Sequence, residues 1–176
     1  EKTGIDLPAE TMPVAGVNYH TLDTMGIVEL SSSSFGQSFQ VTPMQMITAI
    51  SAIANGGKLM TPYVVAKQLD ENGNVVSETQ PNVRRQVISK QTANIVAGMM
   101  EQVVTSGTGK NAYVAGYRVA GKTGTSQKLN NVGHYVASFG CFAPADDPEI
   151  AVLIIVDDPV GQINGGQICT PVAAQV

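Results

Sequence analysis

The sequence predicts an α+β domain. Two helical patterns come first, three strand-like runs follow them, and a helical segment closes the chain, which separates helices from sheet rather than alternating them. The last two strand runs are close together with a turn between them, so the sheet is expected to be antiparallel. Internal repeats and low-complexity tracts are absent from the sequence.

Residues 1–35 are rich in Gly, Pro, Ser and Thr and show no period. They read as loops with short pieces of structure, and Ser31-Ser32-Ser33-Ser34 as a loop or helix cap with no base spaced to make a nucleophile. Residues 42–55 form the clearest helix. Thr42 is placed to cap it, Pro43 suits the first helical position, and Gln45 completes a capping box. Met44, Met46, Ile47, Ile50 and Ile53 leave little polar face, so this helix is expected to be buried in a larger body. Gly56-Gly57 ends it.

A hairpin is expected next, with residues 63–66 and Val75-Val76 flanking the Asn72-Gly73 turn. Residues 81–87 read as a connector. A second helix follows Ser89, with Ile95, Met99 and Val103 beside Val96, Met100 and Val104 in one broad apolar stripe. Gly107-Thr108-Gly109 stops it. Strands are then expected over residues 117–125, 135–142 and 150–156. The last is continuously apolar and reads as a central strand covered on both faces. Residues 167–176 look like the start of a helix.

Composition removes several function classes. The chain has 176 residues, 43% hydrophobic, with a formal net charge of −4 and no Trp. No basic run exceeds Arg84-Arg85, which argues against binding a nucleic-acid backbone. No apolar run approaches a membrane span. Charged residues make up 14%, against about a quarter in ordinary domains; either part of the surface is covered or it is simply rich in neutral polar groups. Cys141 and Cys169 have no metal-ligand spacing and read as small buried hydrophobes. The opening Glu1-Lys2-Thr3-Gly4 reads as mid-chain.

Two motifs compete for one stretch. Residues 116–123 match the phosphate-binding pattern G-x-x-x-x-G-K-[ST], which requires a strand before and a helix after it. The residues on either side offer neither, and Tyr117, Arg118 and Val119 are bulky for a cradle of backbone amides. The second motif is Lys122-Thr123-Gly124, here continued by Thr125, at the end of an apolar run. A fixed cation and two hydroxyls beside a bare backbone suit an anionic substrate group held along a strand. His134 reads as a packed or surface residue rather than a base. Asp146, Asp147, Asp157 and Asp158 read as solvated turn acids rather than a metal site.

Longer segments decide between the motifs. Ser34-Phe35-Gly36-Gln37, Val41-Thr42-Pro43-Met44-Gln45-Met46 and Ala54-Asn55-Gly56-Gly57 occur in that order. Gly107-Thr108-Gly109-Lys110, residues 119–125, Ala137-Ser138-Phe139, Phe142-Ala143-Pro144 and Gly165-Gly166 follow. In this set the chain resembles the transpeptidase domain of class B penicillin-binding proteins, and looks like the cell-division or sporulation type. The resemblance implies the penicillin-binding-protein and serine β-lactamase fold, an antiparallel sheet packed with helices. It also implies a peptidoglycan D-Ala-D-Ala transpeptidase working through a serine acyl-enzyme, with no cofactor or metal.

By the same resemblance Lys122 and Thr125 are catalytic, and Lys122, Thr123, Gly124 and Thr125 bind substrate. Lys122 favours the terminal carboxylate, and the Thr123 and Thr125 hydroxyls donate to it. The Thr125 N–H forms half of an oxyanion hole, and Gly124 lets substrate backbone lie close. In a regular strand Lys122 and Gly124 share a face opposite Thr123 and Thr125, so both threonines are expected to reach one cleft only through twist or a bulge.

The family's other motifs, Ser-x-x-Lys and Ser-x-Asn, do not occur in the sequence. Thr125-Ser126-Gln127-Lys128 and Thr92-Ala93-Asn94 are near misses. The chain is therefore expected to be the C-terminal portion of the domain, residues 1–176, inactive without an upstream half that bears the nucleophile. Expected partners are a D-Ala-D-Ala stem peptide, β-lactams and that upstream half, with no nucleic acid and membrane attachment only through an absent N-terminal segment. The implied location is the outer face of the bacterial cytoplasmic membrane. The alternatives are a non-catalytic half-domain that completes a partner's site, and a nucleotide binder built on residues 116–123.

Overall fold

The computed structural model describes residues 1–128 and 131–176. Leu129 and Asn130, which fall in the stretch weighed above as a P-loop helix, lie outside the described residues. The chain divides into two units, Glu1–Thr48 with Met60–Arg84, and Ala49–Leu59 with Arg85–Val176.

In the first unit acidic side chains tie distant backbone groups together. Glu10 accepts from the backbone N–H and the hydroxyl of Thr3, both at 2.6 Å, and Asp6 accepts from the N–H groups of Val64 and Val65 at 2.7 and 2.9 Å. Those backbone bonds hold the Asp6 carboxyl below its ordinary range. Helix α1 (Ile27–Ser33) takes in most of the serine run, and Ser34 is its C-cap. Helix α2 (Pro43–Ala54) begins with the predicted capping box: Thr42 N–H donates to Gln45 Oε1 at 3.0 Å, and Gln45 N–H to Thr42 Oγ1 at 3.2 Å.

Strand β1 (Lys58–Met60) follows, then the hairpin of β2 (Lys67–Leu69) and β3 (Val75–Glu78). The expected hairpin strand at residues 63–66 is thus displaced, because the N–H groups of Val64 and Val65 are taken by Asp6. Residues 81–87 are not a bare connector. They contain β4 (Val83–Gln86), which pairs with β1.

The second unit carries the main sheet. Helix α3 (Lys90–Thr105) starts at Ser89, whose hydroxyl accepts the Thr92 N–H at 3.0 Å. Its buried face is Ala93, Ala97, Met100 and Val104, while Ile95 and Met99 are exposed. The predicted stripe is therefore narrower and rotated onto the alanines. Beyond a 3-10 turn at Lys110–Ala112 come β5 (Ala120–Gln127), β6 (Tyr135–Ala143) and β7 (Ile150–Asp157), an antiparallel meander in the order β5-β6-β7. Strand β5 starts three residues later than expected. Strand β6 is the central strand; among the described residues β7 lies at an edge, correcting the expectation drawn from its apolar run. Helices α4 (Gly165–Ile168) and α5 (Thr170–Ala173) finish the chain.

Side chains pack on both faces of this sheet. On one face Ala137, Phe139 and Cys141 meet Val104, Ala112 and Cys169. On the other Ala120 and Phe142 meet Ile50, Ala97 and Met100. The absence of a side chain at Gly140 admits Ile50, since a Cβ there would collide with Ile50 Cδ1. Both cysteines are free and buried, as the spacing suggested, and burial pushes the Cys141 thiol up to about 11.

Candidate active site

Lys122-Thr123-Gly124-Thr125 occupies the middle of β5, which among the described residues is an edge strand of the sheet. The four residues face Gly140, Phe139, Ser138 and Ala137 of β6 in a register without a shift. The pleat therefore puts Thr123 and Thr125 on one face and Lys122 and Gly124 on the other. Neither a bulge nor extra twist is needed for the threonines to share a face. The long Lys122 side chain turns back along the strand, its Nζ donating to the Thr123 carbonyl at 2.7 Å.

Among the described residues each threonine hydroxyl has one partner. Thr123 Oγ1 lies 2.8 Å from Thr108 Oγ1. Thr125 Oγ1 accepts the backbone N–H of Gly165 at 3.1 Å. Thr108 sits in the loop that ends α3, where the N–H groups of Gly107 and Gly109 both donate to the Val103 carbonyl, at 3.1 and 2.9 Å.

Gly165 opens α4 and rests on the Gly124–Ser138 pair; a Cβ there would lie 2.5 Å from Ser138 O and closer still to Gly124 O. A Cβ on Gly166 would collide with Thr108 O. The turn is secured by Asn164 Oδ1 accepting the Gly166 N–H at 2.8 Å, and by Asn111 Nδ2 and the buried Thr170 hydroxyl donating to Gly166 O at 3.0 and 2.7 Å. The sequence marked Thr108 as a helix stop and as part of a matching segment, and Gly165 as part of another, without placing either beside the strand. Their places beside the strand come from contacts across 15 and 40 residues.

Ion pairs brace the ends of the sheet. Arg118 grips Glu101 with Nε and Nη2, both at 2.8 Å, and Asp146 with Nη1 at 2.9 Å. The Arg118 bonds hold the Glu101 carboxyl below its ordinary range, and Glu101 and Asp146 raise the guanidinium further above its own. At the other end Lys128 pairs with Asp157 at 2.8 Å, and His134 Nδ1 lies 2.6 Å from Asp158. His134 is thus a half-buried partner of a turn acid, away from Lys122. Asp146, Asp157 and Asp158 are paired rather than simply solvated. Among the described residues no cluster of three His, Cys, Asp or Glu could hold a metal, and no helix is long and apolar enough to cross a membrane.

The phosphate-loop alternative fails on backbone geometry. Lys122 and Thr123 lie within a continuous strand that runs on to Gln127, so no helix N-terminus follows the motif to bind an anion. The region is also not a closed cavity. Two concave sites lie elsewhere, one of about 340 Å³ beside Val119, Val152 and Ala173, the other of about 520 Å³ beside Ile53, Ser89 and Asn94, and neither includes residues 122–125.

Comparison with known proteins bears on the family and the fold. The family described as the penicillin binding protein transpeptidase domain matches residues 1–176. Stage V sporulation protein D of Bacillus subtilis is 41% identical over 182 residues, which cover all of this chain and 28% of that protein. The crystal structure of penicillin binding protein 3 from Mycobacterium tuberculosis superposes with a TM-score of 0.84 at 29% identity, covering 99% of this chain and 41% of that one. The imipenem acyl-enzyme complex of penicillin-binding protein A from the same organism superposes at 0.69, with 27% identity over 82% of this chain and 33% of that one. The chain thus spans well under half the length of each relative. With its α+β architecture, its Lys-Thr-Gly-Thr edge strand and a family match over every residue, the chain belongs to the transpeptidase-domain family of the penicillin-binding proteins, class B, of the cell-division and sporulation type.

Proposed function

We propose that this chain forms the Lys-Thr-Gly wall of a peptidoglycan D-Ala-D-Ala transpeptidase, with the nucleophilic serine supplied by residues outside the sequence. The observation that carries the reading is the pair of hydroxyls, Thr123 and Thr125, side by side on one face of an edge strand with the Lys122 ammonium folded against the same backbone. In the proposed reaction a serine attacks the carbonyl between the two D-Ala residues and free D-Ala departs. An amine of a neighbouring stem then resolves the ester, so one difficult step becomes two. Lys122 draws the terminal carboxylate, the two hydroxyls donate to it, and the Thr125 N–H serves half of the oxyanion hole. Gly124 keeps the strand open to substrate backbone; it also makes room for Ser138, whose Oγ would lie 2.5 Å from a Cβ at Gly124.

β-Lactams are proposed as ligands of the same site, and residues 1–176 as the C-terminal portion of the catalytic domain. Its place is the outer face of the cytoplasmic membrane. The absence of Ser-x-x-Lys and Ser-x-Asn from the sequence supports the division of labour with an upstream half. Intact mass after incubation with benzylpenicillin tests it: a single adduct on the longer parent protein and none on these 176 residues alone. An adduct on neither would point to a degenerate relative.

A second reading, a half-domain that only completes a partner's site, is favoured by one feature. Val160 is 99% exposed and Leu22 94% exposed, each in a different unit. A monodisperse monomer by light scattering, silent to hydrophobic dyes, would remove it.

A further inference from the structure

We propose that Thr108 is a positioning residue for recognition of the substrate's carboxylate, orienting the Thr123 hydroxyl from behind. This rests on the transpeptidase reading above and adds to it a residue outside the Lys-Thr-Gly motif.

The argument is one of hydrogen placement. A hydroxyl has one hydrogen and two lone pairs. The Thr125 oxygen accepts from Gly165, and an N–H can only donate. One Thr125 lone pair is therefore occupied from the protein side, and its single hydrogen stays free for an anion. Thr123 and Thr108 hold their oxygens 2.8 Å apart, and either could be the donor. If Thr123 donates to Thr108, it presents only lone pairs to a carboxylate, which repels it. If Thr108 donates, Thr123 is left as Thr125 is, with its hydrogen directed outward. An anion on this face selects the second arrangement. The two threonines are then served alike, one by a backbone N–H of α4 and the other by a side-chain O–H from the loop after α3.

The surroundings hold Thr108 to this task. Gly107 and Gly109 anchor its loop to Val103, and its carbonyl packs against Gly166, the residue after the Thr125 partner. Thr108 itself is exposed, so the hydroxyl contributes little to the core.

The test compares Thr108→Val and Thr108→Ser with wild type in the full-length parent protein. The readout is the second-order acylation rate with benzylpenicillin and with its neutral methyl ester. Thr108→Val is expected to slow benzylpenicillin about three- to tenfold, the worth of one net hydrogen bond, and to leave the ester rate unchanged. Thr108→Ser is expected to restore the acid-to-ester ratio. A parallel fall with both compounds would reduce Thr108 to a structural prop, and unchanged rates with both would leave it no part in recognition; either result overturns the proposal. Failure of the wild-type parent to react at all would overturn the transpeptidase reading itself, and this inference with it.

Discussion

The backbone N–H of Gly165 meets the hydroxyl of Thr125 at 3.1 Å, joining two residues 40 positions apart. It does so because Gly165 has no side chain: its α-carbon lies directly over the paired backbones of Gly124 and Ser138. Gly165→Ala would force a methyl onto two carbonyl oxygens that cannot rotate away. The expected cost is about 1–3 kcal/mol of stability, as for other overpacked sites. Acylation of the parent by benzylpenicillin should slow as well, since Thr125 loses its anchor. Thermal melting and acylation kinetics would read the two effects. A variant that melts and reacts like wild type would mean that α4 does not sit on β5.

Gly140 makes the corresponding contact on the opposite face. A Cβ there would run into Ile50 Cδ1, with Leu153 Cδ1 also 3.5 Å away. The Ile50 terminus can be trimmed, so this clash is reparable where the one at Gly165 is not. Gly140→Ala alone should destabilise, and Ile50→Val should cost about 0.5–1.5 kcal/mol by itself. The double variant should be more stable than the sum of the single effects predicts. Simple additivity in denaturant melts would place Ile50 away from the strand.

Arg118 makes the stability of the second unit sensitive to acid. Its hydrogen bond is the largest influence on Glu101, whose carboxyl lies below the ordinary value of 4.5. A depressed carboxylate stabilises the fold above its unfolded pKa, and that contribution disappears as pH falls through the folded one. The melting temperature of wild type should therefore exceed that of Arg118→Gln at neutral pH, with the gap closing below pH 4.5. A gap that persisted undiminished into strong acid would assign the effect to packing of the arginine stem.

Cys141 and Cys169 should be silent to thiol reagents in the native protein. Both are free and buried, and desolvation raises both pKa values, that of Cys141 to about 11. Little thiolate exists at pH 8, and little of it is accessible. Titration with a chromogenic disulfide should give no prompt reaction until denaturant is added, and two thiols afterwards. Prompt native labelling would show that the core around Phe139 opens readily.

Local signals in the sequence led to local structure. Thr42 and Gln45 lie three residues apart and meet in the capping box, Ser89 caps α3, and the apolar runs at residues 135–142 and 150–156 became adjacent antiparallel strands. Long-range pairing was not legible. Val83-Arg84-Arg85-Gln86 is a strand only because β1 lies beside it, and nothing in its alternation announces that. Val64 and Val65 look like strand residues, but their N–H groups belong to Asp6, 58 and 59 positions away. The site divides in the same way. Lys122, Thr123, Gly124 and Thr125 stand out as a motif. Thr108 and Gly165 lie in short glycine-rich segments that add to the family match, but nothing in one dimension shows that they touch the two hydroxyls.

The return of Gly165 to Thr125 also bears on the order in which this unit assembles. Strands β5, β6 and β7 are neighbours in sequence as well as in space, so their pairing closes short loops at low entropic cost. The contact from α4 is expected to form after the meander, the surface it lands on, so Thr125 should be placed early as a strand residue and acquire its anchor late. In refolding experiments, substitutions at Phe139 should slow formation of the native state. Removal of the Thr125 hydroxyl should instead speed its loss, because that contact is made after the rate-limiting barrier.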